Sequence, residues 1–511
     1  MLFKRAIVCG GIIIICLIGY LGYIAIKYYQ QQIEYQALQQ AVLIQKQALK
    51  TLIDSKPKLE QVHFRRELRI GMLRSLTPFY INSRAPNKLS GFEYSLLSRY
   101  ARLEEVDLKV VFADTLTELL TQLEENNIDL IAEELQGHTN YKEKVIASMP
   151  YYSAVQQLVY LKEQIKPYSF NDINGKLLVA VNSPQSHMLS KLSNEYTHLK
   201  WEQSAVFNQE ELLKLVATKE IDYTIADALT ISVMRRIYPA LTVAFSTDEA
   251  QPLHFYFTKS SDRSLLSSIN QFIKQSQQNG TIERLENRYF SYIDDFDYVD
   301  TRQFLRAIEN TLPQFEAYFK EYAQQYHFDW RLIAAMSYQE SHWNPHATSS
   351  TGVRGIMMLT QNTADDLGVS DRLNAQQSIR GGTQYLGNLV KRISTNVPEE
   401  ERVWHALVAY NMGYGHLLDV RRLARHLGKN PDNWTDLKQV LPLVSLDKYQ
   451  PYLKYGRAKG YQALHFVNSI QQYYVSLVGY QLEKAYRQKQ IDDKLKNIRS
   501  GKNINRRAVR N

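Results

Sequence analysis

A single carboxylate, Glu340, stands at the end of an apolar run in "AAMSYQESHWNPHATSSTGVRGIMMLT", residues 334–360. The loop behind it is rich in Ser, Thr and Gly. Asp329 is placed to cap a helix over "WRLIAAMSYQES", because its side chain can accept from the free N–H groups of the first turn. In that helix Leu332, Ile333 and Met336 form an apolar stripe, and Glu340 continues it, four residues after Met336 and seven after Ile333. It also lies in the last turn, where the helix dipole disfavours an anion. Burial and dipole both raise a carboxyl pKa. An acid that keeps its proton near neutral pH is what general-acid catalysis requires. On spacing alone, a solvated Glu that bends outward at a helix end is an equal reading.

The wider motif separates the two readings. In order along 340–364 stand Glu340, Ser341, Asn344, Pro345, Ala347, Ser349, Gly352, Gly355, Met357, Thr363 and Ala364. A distant block, "ALVAYNMGYG", adds Ala409, Tyr410, Asn411 and Gly413. Together they resemble the signature of the soluble lytic transglycosylases, a family with a goose-type lysozyme fold. Met358 stands where most members carry Gln, which removes one polar contact to sugar.

The resemblance implies cleavage of peptidoglycan at the β-1,4 bond between N-acetylmuramic acid and N-acetylglucosamine. Glycosidases ordinarily use two carboxylates; this family manages with one. Glu340 would protonate the leaving oxygen, the muramic N-acetyl group would stabilise charge at C1, and the sugar's own C6 hydroxyl would close a 1,6-anhydro ring. Ser349, Gly355, Met357, Tyr410 and Asn411 are the implied substrate contacts. The resemblance implies no cofactor. The bland alternatives are Tyr410 as a half-buried core aromatic and Asn411 as a helix cap. His342 and His346 do not make a helical metal pair, because Pro345 breaks any helix between them. Gly381-Gly382 is followed by no Lys-Ser/Thr and is no phosphate loop. Asp365 and Asp366 could be offered as a second carboxylate, but "TADDLG" reads as a solvated helix face.

The elements that must hold this site form the C-terminal part of the chain. From about Tyr298 the pattern is helical throughout, so residues 291–486 read as an all-α domain and 487–511 as a solvated basic tail. Residues 67–290 are different. Strand patterns such as "ELRIGML", "VDLKVVFAD" and "KLLVAVN" alternate with helical ones such as "GFEYSLLSRYARLEEV". That alternation predicts α/β units with mostly parallel sheets. The stretches "GFEYSLLSRYA", "LLTQLEENNIDLIAEEL" and "MPYYSAVQQLVYL" resemble the bacterial extracellular solute-binding proteins. The resemblance implies a two-lobed, periplasmic-binding-protein-like module, left near Glu163 and re-entered near Pro252, with a muropeptide or other small ligand in its cleft. Binders of amino acids carry an Arg before the "PY" strand to clamp an α-carboxylate; Tyr141 and Lys142 stand there instead.

Upstream, residues 28–66 read as a Gln-rich helical stalk. Residues 1–27 hold Lys4 and Arg5 and then an uncharged run from Ala6 to Ile26, long enough to span a bilayer. A transmembrane anchor and a signal segment are both compatible, and either exports the rest. The anchor points to the inner membrane, whereas the resemblance implies association with the outer one. With 511 residues, a net charge of +9 and 44% hydrophobic residues, the chain is multidomain and suited to anionic partners. No nucleic-acid motif accompanies the charge. Three readings follow: a periplasmic lytic transglycosylase carrying a sensor-like module, a lysozyme-type hydrolase, and a non-catalytic wall-sensing receptor.

Overall fold

The computed structural model describes residues 27–45, 51–73, 91–113, 115–133, 143–181, 183–205, 207–260, 262–290, 298–350 and 352–499. The expected membrane segment at Ala6–Ile26 and the substituted clamp at Tyr141 and Lys142 lie outside them. Among the described residues no helix is long and apolar enough to cross a membrane.

Helix α1 covers 27–45 with its side chains exposed, as a stalk should be. The end of the expected stalk, from Lys58, is not a spacer. Helix α2 (Lys58–Arg65) docks on the first lobe. Val62 is fully buried in that lobe's core, and the Lys58 and Leu59 amides donate to Asp262 Oδ2 and Ser264 Oγ. The lobe therefore takes in residues upstream of Glu67.

Lobe one contains β1 (Glu67–Leu73), α3 (Phe92–Leu103), β2 (Asp107–Ala113), α4 (Leu116–Glu124), β3 (Leu130–Ile131) and β4 (Val145–Ala147). Lobe two contains β5 (Tyr152–Leu161), β6 (Leu177–Ala180), α5 (Pro184–Leu192), β7 (Trp201–Ser204), α6 (Gln209–Ala217), β8 (Thr224–Asp227), α7 (Ala228–Ile237) and β9 (Leu241–Leu253). The chain then returns to lobe one as β10 (Tyr256–Thr258), α8 (Ser264–Gln278) and α9 (Thr281–Phe290). The first sheet has the order β2-β1-β3-β10-β4, with β1 parallel to β2 and β3, and β10 antiparallel to its neighbours.

The expectation of mostly parallel sheets fails in lobe two. Its main sheet, β8-β5-β9, is antiparallel throughout; β6 runs parallel to β7 and, through one bridge from Leu177 to Tyr223, to the chain just before β8. The reason is connectivity. Strand β5 carries the chain out of lobe one and β9 carries it back, so the two run side by side in opposite directions, from Tyr152 opposite Leu253 to Leu161 opposite Leu241. The same pairing moves the exit from lobe one to about Tyr152. Glu163 lies beyond the far end of β5; the return near Pro252 stands as expected.

The C-terminal domain is helical. It comprises α10 (Tyr298–Asn310), α11 (Glu316–Gln325), α12 (Trp330–Ser341), α13 (Gln361–Asp366), α14 (Ala375–Arg392), α15 (Arg402–Met412), α16 (Tyr414–His426), α17 (Trp434–Val440) and α18 (Gly460–Arg499). Backbone helix thus continues past 486 into the expected tail. Two isolated β-bridges, Thr348 to Arg354 and Arg354 to Leu359, pin the loop after α12. Helix α12 is central. Arg331 to Tyr338 are all buried, so it is enclosed on every side rather than striped. Helix α18 packs along α12 at one end and along α7 of lobe two further on. There Glu483 is nearly enclosed, 2.9 Å from Lys214 Nζ and accepting from the Tyr238 hydroxyl at 3.0 Å.

Candidate active site

Asp329 caps α12 as its position predicts, accepting from the Arg331 amide at 3.0 Å. It does more than cap. The Arg331 guanidinium donates to both carboxylate oxygens, at 2.6–3.1 Å, and the Tyr474 hydroxyl on α18 donates at 2.9 Å. This buried network fixes the start of the helix, and hence the register of its far end.

At that far end the chain reverses sharply. His342 and Trp343 both adopt left-handed conformations, with φ of 52° and 60°, unusual for such side chains. Trp343 is buried and donates from its indole N–H to the Ala334 carbonyl at 2.8 Å, so the reversal is anchored on the helix it leaves. Ser337 and Ser341 both donate to the Ile356 carbonyl, at 3.0 and 2.8 Å. The loop is therefore bolted to α12 on either side of Glu340.

Glu340 lies one residue before the end of α12 and is half-buried. Burial raises its carboxyl from the ordinary 4.5 to about 8. Among the described residues no neighbouring charge contributes to that shift. Tyr410 is beside it: burial pushes the phenol well above its ordinary range, and the charge of Glu340 adds to the effect. Asp365 and Asp366 are exposed on α13, and Asp365 accepts from Gln361 Nε2.

The other expected contacts fall into distinct places. The Tyr410 hydroxyl donates to the Met357 carbonyl at 3.0 Å, and its ring lies 5.1 Å from that of Tyr385. Tyr385, on α14, carried no motif signal and is visible only through this packing. Met357 is fully buried with its side chain against Gly382, where a Cβ would meet its Cε at 2.7 Å. The glycine pair that is no phosphate loop is thus a notch that lets α14 approach the motif. Gly355, at φ 86°, donates its amide to the Ala347 carbonyl, and a Cβ there would sit 1.8 Å from the Arg372 carbonyl oxygen. Ser349 closes the loop, its Oγ accepting from the Val353 amide at 3.3 Å. Asn411 is exposed one residue before the end of α15. Of the five expected contacts, Tyr410 is the side chain that feels the charge of the acid; Ser349, Gly355 and Met357 build the loop.

Comparison with known proteins gives both halves. Residues 317–433 match the model of the transglycosylase SLT domain. Residues 68–292 match that of the bacterial extracellular solute-binding proteins, family 3. The chain is 43% identical over 428 residues to membrane-bound lytic murein transglycosylase F of Serratia proteamaculans, covering 84% of this chain and 87% of that one. It is 42% identical over 440 residues to the protein of that name in Aliivibrio fischeri, covering 86% and 88%. Among solved structures, a mutant of ArgBP from T. maritima is 21% identical, with a TM-score of 0.38, covering 46% of this chain and 99% of its own.

Proposed function

The chain belongs to the membrane-bound lytic murein transglycosylase F family and is a lytic murein transglycosylase, and we propose that Glu340 is its one general acid and base. The observation that carries this is the placement of Glu340 in the last turn of α12, between Ser337 and Ser341, which tie the motif loop to that turn, with burial pushing its carboxyl up to about 8. Protonated at neutral pH, Glu340 gives its proton to the oxygen leaving from C1 of N-acetylmuramic acid, and the C1–O bond breaks. The muramic N-acetyl oxygen stabilises the positive charge at C1. The carboxylate so formed takes the proton of the C6 hydroxyl, whose oxygen bonds to C1. Acid and base are one group, no water is consumed, and the product ends in 1,6-anhydromuramic acid. Attack from within the same sugar supplies the proximity that a water molecule would lack.

Tyr410 orients the acid and excludes water on one side of it, held by its bond to Met357. A rate profile against pH tests this assignment. kcat/KM should fall above pH 8 as Glu340 loses its proton, and Glu340→Gln should be inactive at every pH. An alkaline limb unchanged by all substitutions around Glu340 would reject it.

We infer further that the solute-binding module modulates cleavage. Helix α18 supports the reading, because it packs on α12, which carries Glu340, and on α7 of lobe two. A small wall-derived ligand that alters the lobes would act on the site through that helix. The envelope location implied by the relatives' name suits such a substrate, with peptidoglycan strands as the principal partner.

A further inference from the structure

Helix α16 leads away from the acid's neighbourhood, starting directly after the "AYNMG" block. His416, Asp419 and His426 lie on one of its faces, at spacings of three and seven. The segment 452–455 runs over that face in the opposite direction. Tyr455 sits against Gly415 and His416, its ring 6.5 Å from the imidazole. The buried Asp419 carboxylate holds the middle, accepting from the Lys454 and Tyr455 amides at 2.8 and 2.6 Å. Tyr452 stacks on His426 at 3.9 Å. The two ring pairs are separated by about 15 Å along the helix, ten residues at ~1.5 Å each.

Two features single out this strip. Among the described residues from 298 onward, the exposed large hydrophobic side chains are Leu446, Tyr452, Tyr455 and Tyr461, all in one segment. Tyr452 and Tyr455 are 40% and 50% exposed. Exposed cations lie on the same two stretches: Arg425 on α16, and Lys448 and Lys454 in the segment, with Lys454 Nζ 5.7 Å from the centre of the Tyr455 ring. The nearby acids are neutralised, Asp419 by Arg422 and two amides, Asp447 by Arg457. Exposed tyrosine faces flanked by cations suit a polymer with apolar C–H faces and negative charge. An aromatic face attracts the positive edge of C–H groups, and the cations draw carboxylates by long-range attraction.

We propose that the Tyr455–Tyr452 strip on α16 is a glycan-holding surface that grips the peptidoglycan strand beyond the cleavage point, its tyrosines stacking on sugar rings and its cations meeting the carboxylates of the peptide stems. The proposal deepens the lytic reading and rests on it for the identity of the polymer. Asp419 is its positioning residue, fixing the segment that carries both tyrosines. The strip lets the enzyme hold a long strand while the short site at Glu340 turns over, so it matters for intact wall and not for fragments.

The test uses the full chain as wild type, Tyr452→Ala and Arg425→Glu, with three probes: intact sacculi, peptide-stripped glycan strands, and short soluble muropeptide oligomers. Binding is read by co-sedimentation and turnover by product release. Tyr452→Ala should bind sacculi and stripped strands about three- to tenfold more weakly, the worth of one aromatic contact, and process short oligomers at the wild-type rate. Arg425→Glu should lose affinity for sacculi more than for stripped strands, with the difference vanishing in high salt. Wild-type binding of sacculi by both variants overturns the proposal. If the wild type binds sacculi but releases no anhydro product, the lytic reading fails separately; weaker binding by Tyr452→Ala still upholds the strip.

Discussion

Tyr410 and Met357, 53 positions apart, are joined by a 3.0 Å hydrogen bond from the phenol to the backbone carbonyl. It couples the two motif blocks: one supplies the acid and its loop, the other a ring that stands beside the acid. Tyr410→Phe removes the donor and leaves a carbonyl on a buried residue unpaired. The expected cost is about 1–2 kcal/mol, seen as a Tm lower by several degrees, together with a fall in kcat larger than any change in KM. Unchanged stability and rate would mean that the bond does not hold the ring.

The loop glycines should separate by what surrounds them. Gly355→Ala would drive a Cβ to 1.8 Å from the Arg372 carbonyl oxygen at φ 86°, so the loop must move and soluble, active protein should be lost. Gly352→Ala meets nothing within 4 Å at φ 81°. It should cost only the left-handed penalty of about 1–2 kcal/mol and keep measurable activity. Thermal unfolding of both variants decides; equal effects would contradict the packing argument.

Asp329→Ala would leave the Arg331 guanidinium and the Tyr474 hydroxyl buried without their shared partner. Breaking a buried pair from one side costs about 3–5 kcal/mol, so denaturant unfolding should show a large loss. Leucine at both 329 and 331 should recover part of it.

Coupling through α18 is testable at its contact with lobe two. Lys214→Ala removes one hold on Glu483. Basal cleavage of peptidoglycan should persist, while any rate change caused by muropeptides added to the wild type should shrink. A muropeptide effect of full size in Lys214→Ala would remove this route.

Glu340→Gln should stabilise the fold. The folded carboxyl titrates near 8 rather than 4.5, so the folded state binds the proton more tightly between those values and loses stability as pH rises through them. Gln carries no such penalty. Its advantage should be near zero at pH 4 and grow to a few kcal/mol, about 5 at most, by pH 9, read from Tm against pH. A constant difference across that range would mean that the carboxyl is not raised.

Much of the site was legible because local chemistry and spacing agreed. Asp329 before an apolar run reads as a cap and is one; Glu340 at the end of that run is an even choice on spacing, and the motif behind it tips the reading towards an acid. What stayed illegible depended on partners remote in sequence. Nothing near Met357 says that its side chain fills a notch at Gly382 and its carbonyl holds Tyr410. The enclosure of α12 owes most to α18, more than a hundred residues later, with α11 and the motif loop completing it. In the module, "ELRIGML" and "VDLKVVFAD" gave strands β1 and β2, but the antiparallel sense of β5 and β9 follows from a crossover between lobes that local periodicity does not contain. The docking of α2 was hidden for the same reason: its partners, Asp262 and Ser264, lie some 200 residues on.

The most direct measurement is mass spectrometry of the muropeptides released from purified peptidoglycan by the wild type and by Glu340→Gln. The single-acid account predicts 1,6-anhydromuramic ends from the wild type and no release by the variant. Reducing ends, heavier by one water, would contradict it and demand a second carboxylate to activate that water.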